Sequence, residues 1–414
     1  MLANQIKSLA ERYLDHCSTL DSRYKLMHKL GEGRYGKVYL AIDLKSTDLV
    51  AVKMLRGTGF RYQLPSFFNE IRHLVYLLEC QSIEKSLRAT KIIDFSFEGR
   101  LNSCKPVAYY IMEFVELGEF YSLVERAERV SEPLASHFIR QLIANIKLLH
   151  SYRFYHLDIK PENVLINEQG ELYLCDFGSA LCCKKPKEVH WKNVSFVGSF
   201  EYAAPEAYDL DFLKEVKGVH QQIKEYELGK LDVFSLGVLA FVLVVKSQPF
   251  GRAQEDDPYF KRFLAAKDGF WGIFEKLRAS SKDFKSLIEG MLEPANNERI
   301  GLSEVEAQDW FTGMSDKHDV EVELKALLAK RKQQFLKELS ASLESKLTKR
   351  KQIISNSKMH RYKDGEEVVR QFLAKNDKKL MKLRYEITEC QKSLGRFSPS
   401  EISSVSGNSS DDDF

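Results

Sequence analysis

A chain of 414 residues is longer than one hydrophobic core usually organises, so two or three compact units plus extensions are expected. An apolar fraction of 44% suffices for a sizeable core, and seven scattered cysteines without a CxxC pair argue against a zinc site or a disulfide framework and for reduced thiols inside a cell. The net charge of +3 hides an asymmetry, because 315–396 holds 21 Lys/Arg against 12 Asp/Glu while the last 18 residues hold four acids and no base.

Residues 1–22 read as a short helical lead-in, with Ile6, Leu9, Tyr13 and Leu14 at helical spacing, and no apolar segment of signal-peptide type opens them. From Tyr24 to Val52 the pattern alternates as in an antiparallel sheet, interrupted by a glycine loop. The period changes over Leu64 to Cys80, where Ser66 is the expected cap and Phe67, Phe68, Ile71, Leu74, Val75 and Leu78 form one apolar stripe. Strand character returns at Lys91 to Phe97 and Val107 to Phe114.

After Glu119 the chain turns mostly helical, with an amphipathic helix predicted over Ser131 to His150 and others at 232–245, 260–266, 270–277, 281–291 and 303–309. The longest apolar run, Leu236 to Val245, is ten residues, too few to span a bilayer and suited to a buried helix, so no transmembrane segment is expected. Two helical stretches follow, at 320–351 and 366–390. The first carries Leu324, Leu328, Phe335, Leu339, Leu343 and Leu347 in a stripe too irregular for a coiled coil. The Ser-rich end, 397–414, reads as disordered.

The chemistry concentrates in His156-Leu157-Asp158-Ile159-Lys160-Pro161-Glu162-Asn163, followed thirteen residues later by Asp176-Phe177-Gly178. Phosphoryl transfer needs a base at the attacking hydroxyl, a cation near the moving phosphate and oxygen ligands for Mg²⁺; Asp158, Lys160, Asn163 and Asp176 are those residue types. His156 suits a structural role better than that of a base. Gly31-Glu32-Gly33-Arg34-Tyr35-Gly36-Lys37-Val38 is a GxGxxGxV loop between strand patterns with no helix after it, which disfavours a dinucleotide-binding βαβ unit and leaves a lid over phosphates. Lys53, 17 residues past Gly36, needs an anion to hold it; Glu70 is favoured over Glu79.

Taken together, these motifs and Ala204-Pro205-Glu206 resemble the eukaryotic-type serine/threonine protein kinases over residues 24–313, nearest the calmodulin-dependent group. The resemblance implies an α+β, two-lobed fold: an antiparallel lobe with one main helix (23–112), a hinge (113–119), a larger helical lobe (120–314), then a basic helical extension (315–396). It implies ATP and Mg²⁺ as cofactors, with Asp158, Lys160, Lys53 and Glu70 catalytic and Asn163 and Asp176 holding metal. Nucleotide-binding positions would be Gly31, Glu32, Gly33, Arg34, Tyr35, Gly36, Val38, Ala51, Lys53, Met112, Glu113, Val115, Glu119, Glu162, Asn163, Leu165 and Asp176. Asp232 resembles the aspartate bracing the catalytic loop, and Arg299 the partner of Glu206. Lys160 with Ser199 points to Ser/Thr hydroxyls on protein substrates, and Glu119 and Glu162 to a basic sequence context. A pseudokinase scaffold and a small-molecule kinase are the rival readings; the first usually lacks one of Lys53, Asp158 and Asp176, and the second lacks the peptide-platform residues.

Two departures stand out. Leu157 replaces the usual arginine that gathers an activation-loop phosphate, so activity independent of that phosphate is expected. Twenty-five residues separate Glu206 from Asp232, about a dozen more than is common in the family. Lys330-Arg331-Lys332 and Lys349-Arg350-Lys351 flank the stripe of the extension, which makes a calmodulin-like partner or self-association through 315–396 an expectation. No nucleic-acid partner is expected, and a cytoplasmic location is, with the nucleus as the alternative.

Overall fold

The computed structural model describes residues 2–33, 36–55, 60–103, 105–126, 130–182, 198–208, 225–275, 279–312, 317–350, 379 and 381–389. Arg34, Tyr35, most of the 207–231 insertion and the acidic tail lie outside them. The chain divides into two units: Cys17–Ser86 with Lys91–Phe114 and Ile353–Phe414, and Met1–His16 with Leu87–Thr90 and Val115–Gln352.

The first helix, α1 (Leu2–Glu11), belongs to the large unit and buries Leu2, Ile6 and Ala10. The lead-in expected as helix to residue 22 instead gives way to a 3₁₀ turn and a strand, β1 (Ser18–Leu20). Three residues are too few to show a period, and β1 owes its strand state to pairing with its neighbours.

In the small unit β1 is followed by β2 (Tyr24–Glu32), β3 (Gly36–Asp43), β4 (Leu49–Leu55), β5 (Ile92–Leu101) and β6 (Lys105–Glu113). All pairs are antiparallel in the order β1-β2-β3-β4-β6-β5, and Leu20 opposite Leu101 closes the barrel. Alternate residues point inward, so Leu26, Ala41, Val50, Val52, Tyr109 and Ile111 share one core. Helix α2 (Phe60–Ile83) packs on this unit through Phe67, whose ring meets Phe97 and Tyr110 at 6.1 and 5.3 Å. It begins before Pro65, so Ser66 lies inside the helix rather than capping it. A proline biases its predecessor away from helix, but burial of Phe67, Phe68, Ile71 and Leu74 outweighs that local preference. A helical piece at 381–389 buries Leu383 and Ile387 and sets Arg384 over Phe95 at 5.4 Å.

The large unit continues with α3 (Phe120–Arg126) and α4 (Glu132–Ser151), which Ser131 caps by accepting from Leu134 N at 3.2 Å. Two small hairpin-like pairs follow: β7 (Phe154–Tyr155) with β10 (Leu181–Cys182), and β8 (Val164–Ile166) with β9 (Leu172–Leu174). They bracket the catalytic segment and hold its ends. Then come α5 (Glu225–Val245), α6 (Pro258–Ala265), α7 (Lys267–Phe274), α8 (Lys282–Met291), α9 (Leu302–Glu306), α10 (Asp309–Thr312) and α11 (Lys317–Arg350). Helix α5 contains an 18-residue window, Leu228–Val245, long and apolar enough to cross a membrane, which the ten-residue run did not suggest. That window is 89% buried within the protein, as a core helix is.

Candidate active site

The small unit contributes a lysine held by a carboxylate. Lys53 sits on β4 on the face opposite the barrel core; Glu70 comes from the first half of α2. Nζ donates to Glu70 Oε1 at 2.6 Å, with Lys53 6% and Glu70 2% exposed. Of the two carboxylates weighed for Lys53, Glu70 is the one in contact. Tyr110, directly opposite Lys53 in the β4–β6 register, donates its hydroxyl to the same Oε1 at 2.7 Å and places its ring 5.8 Å from Nζ. Sequence reasoning missed Tyr110, although strand alternation puts it on the lysine's face. Ala51 and Met112 face each other two pairs further along.

At the glycine loop Gly33 N donates to Gly36 O at 2.9 Å, with Gly31 opposite Val38 and Glu32 opposite Lys37 across β2 and β3. A Cβ at Gly36 would overlap the Met54 carbonyl oxygen, so only glycine brings β3 this close to β4.

The large unit holds the remaining residues. Asp232 on α5 is fully buried and accepts from the amides of His156 at 3.0 Å and Leu157 at 2.8 Å. Those two bonds hold Leu157 in the left-handed region, φ +61°, a conformation that costs a non-glycine residue about 1–2 kcal/mol. His150 Nε2 shares Asp232 at 2.8 Å, a third contact that no motif announced. His156 Nε2 lies 3.0 Å from the Cys175 carbonyl, and Nδ1 accepts from Asp158 N at 3.3 Å. A carbonyl can only accept, so His156 is the Nε2–H tautomer with both nitrogens committed, which suits a structural part.

The Asp158 carboxylate stands at the centre of a closed set. Ser199 Oγ donates to Oδ1 at 2.8 Å, Asn163 Nδ2 donates to Oδ2 at 2.8 Å, and Lys160 Nζ lies 3.2 Å from Oδ2. Lys160 also donates to Ser199 Oγ at 2.6 Å. Asn163 spends its amide nitrogen on Asp158, and its amide oxygen is a ligand suited to hard cations. Asp176, with φ +58° and ψ +71°, is the other oxygen ligand available to such an ion. Within the small unit the lysine and the glycine backbone are donors of the kind phosphate oxygens take, and within the large unit the carboxamide and carboxylate are ligands of the kind Mg²⁺ takes, so each unit's residues fit its share of a Mg²⁺–triphosphate.

Glu119, just before α3, and Glu162, in the 3₁₀ turn Pro161–Asn163, lie half-buried, and neither makes an ion pair among the described residues. Burial raises both above the usual carboxylate range; Glu162 raises Glu119 further, while Arg331 and Lys160 pull it back. Glu162 Oε2 is buried with no hydrogen-bond partner among the described residues. Glu119 bridges to Leu165, and Val115 precedes it, buried, at the start of the same segment. Behind the platform, Arg299 is buried and grips Glu206 with two bonds of 2.6 and 3.0 Å, and Asn296 adds a third at 2.7 Å.

Comparison with known proteins identifies the family. A family model described as "Protein kinase domain" matches residues 24–311. "CBL-interacting serine/threonine-protein kinase 18" of Arabidopsis thaliana is 29% identical over 303 residues, 70% of this chain and 50% of its own. "CBL-interacting protein kinase 28" of Oryza sativa subsp. japonica is 28% identical over 298 residues, 72% of this chain and 61% of its own. The chain thus spans between half and three-fifths of the length of these curated relatives.

Proposed function

Because the chain belongs to the protein kinase family, we propose that it transfers the γ-phosphoryl group of ATP to Ser and Thr hydroxyls of protein substrates. The Asp158–Ser199–Lys160 cluster carries this reading: a carboxylate and an ammonium are locked together by a hydroxyl from the peptide-platform segment. In this arrangement Asp158 accepts or orients the proton of the incoming hydroxyl, and Lys160 balances charge on the transferring group. Lys53, oriented by Glu70 and Tyr110, holds phosphate oxygens. Mg²⁺, which Asn163 and Asp176 would hold, supplies neutralisation of phosphate charge. A phosphotransfer assay with a serine peptide containing arginine tests the proposal, with Asp176→Ala as control. Equal signal from both proteins would overturn it and favour a binding-only role.

Activity without activation-loop phosphorylation is part of the same proposal. Leu157 is buried and apolar, and Gly198 comes so close to its carbonyl that a Cβ would sit 2.8 Å away. The peptide platform is therefore joined to the catalytic loop by backbone packing and the Ser199 bridge, which supports a phosphate-free active form. Phosphatase treatment should leave most activity; a loss that autophosphorylation restores would sink this part.

Glu162, with one carboxylate oxygen unsatisfied among the described residues, and its neighbour Glu119 support a preference for basic residues near the phosphosite. For 315–396, the relatives' printed names favour a CBL-type partner, alongside a calmodulin-like partner or a second copy of this chain. Any of these must contend with α11, whose Lys332 already bonds Glu168 at 2.8 Å. A cytoplasmic or nuclear location completes the proposal, checked by imaging the tagged full chain.

A further inference from the structure

Helix α11 lies on the large unit along much of its length. Glu323 accepts from Ser131 N at 2.9 Å, Leu324 and Leu328 close over Gly170, and Phe335, Leu339 and Leu343 are buried. In the middle of that apolar row stands Arg331, 7% exposed. Burying a guanidinium is costly unless its donors are used, so its partners reveal its task. Nε donates to the Leu117 carbonyl at 2.9 Å, Nη1 to Glu338 at 3.3 Å, and Cζ lies 5.7 Å from the Phe335 ring. Nη2 sits 3.5 Å from where a side chain would begin on Gly118, whose φ of +73° turns the chain.

The segment so held is short and connected to the chemistry. Leu117 N donates to Ile166 O at 3.1 Å, Ile166 N donates to Gly118 O at 3.0 Å, and Glu119 bridges to Leu165. Strand β8, which contains Leu165 and Ile166, begins one residue after Asn163. Val115, Glu119 and Leu165, the positions to which the family resemblance assigns nucleotide contact, thus lie on one stitched piece of backbone. Strand β8 braces it from one side and Arg331 from the other.

We propose that Arg331 is a positioning residue for nucleotide binding, acting through the Leu117 carbonyl, and that α11 is a working part of the catalytic unit. This rests on the kinase reading above. It has a consequence for regulation: detaching α11 weakens nucleotide binding, the opposite of what releasing an inhibitory tail would do. The charge of Arg331 also offsets the repulsion between Glu119 and Glu162.

The test uses the full chain and compares Arg331→Ala, Arg331→Lys and Leu343→Ala, with nucleotide KM, kcat and Tm measured for each. Leu343 is buried about three turns further along the same helix, so its truncation reports the cost of loosening α11 alone. Arg331→Ala should raise the KM for ATP about tenfold with kcat within about twofold, as loss of a charge-assisted hydrogen bond to an otherwise buried group does. Arg331→Lys, which keeps one donor and the charge, should recover part of that, and Leu343→Ala should lower Tm without moving KM. If Arg331→Ala does not fold, Arg331→Lys carries the test with a smaller rise in KM. An unchanged KM in the Arg331 variants, or KM rising in step with lost Tm in Leu343→Ala as well, overturns the inference while wild-type activity stands. A wild type that neither binds nucleotide nor transfers phosphate overturns the kinase reading, and this inference with it.

Discussion

Lys53 with Glu70 in the small unit, and Glu119 with Glu162 in the large unit, are opposite ways of burying charge. The first two neutralise each other at 2.6 Å, and a tyrosine hydroxyl takes up more of the carboxylate's capacity. The second two are like charges, half-buried, without an ion pair among the described residues and with one oxygen unsatisfied. A pair that is complete by itself is rigid and ready before any ligand arrives. In the proposed function, the incomplete pair is the one that a cation from outside would complete. On that reading the same residue type serves preorganisation in one unit and recognition in the other.

Breaking the complete pair should have the largest effect. Lys53→Met leaves Glu70 buried without its ammonium partner, which should cost about 3–5 kcal/mol of stability by urea unfolding and abolish measurable phosphotransfer. The double variant Lys53→Met/Glu70→Leu should regain most of that stability and none of the activity. If single and double variants unfold at the same urea concentration, the pair is not governed by buried charge. Ser199→Ala comes next. It removes the hydroxyl joining Lys160 to Asp158, and kcat should fall about tenfold, some 1.4 kcal/mol in the barrier, with little change in Tm. Ser199→Thr keeps the hydroxyl and should keep the rate.

The complete pair and the catalytic loop were legible because their chemistry is local or follows a strong period. Asp158, Lys160 and Asn163 lie within six residues, and the stripe of α2 points Glu70 inward with its apolar neighbours. What joins distant parts of the chain left weaker traces. Arg331 fills the step between Leu328 and Phe335, so the stripe of α11 looked irregular only because a buried position is occupied by a charged residue. His150 reaches Asp232 across 82 residues, a contact no spacing rule carries. Pro65 and β1 are the reverse case: local preference opposes helix before Pro65 and shows no period at β1, and tertiary packing decides both.

The smallest expected effect sharpens the comparison most, because the incomplete pair should make stability and substrate affinity run in opposite directions with pH. A carboxyl whose folded pKa lies above its unfolded value favours the protonated fold. Its contribution to stability is therefore greatest below the ordinary carboxylate range and is lost as pH rises through the raised folded values of Glu119 and Glu162. An arginine-containing peptide needs the ionised form, so its affinity should climb through that same window while a neutral peptide's stays flat. At neutral pH Glu162→Gln removes one of the two repelling charges. Tm should rise slightly, the KM for the arginine peptide should rise roughly fivefold, as loss of a half-exposed ion pair would give, and the pH dependence of that KM should flatten. A variant that loses stability, or binds both peptides equally less well, would mean that Glu162 is satisfied from within and that the large unit treats its charges as the small unit does.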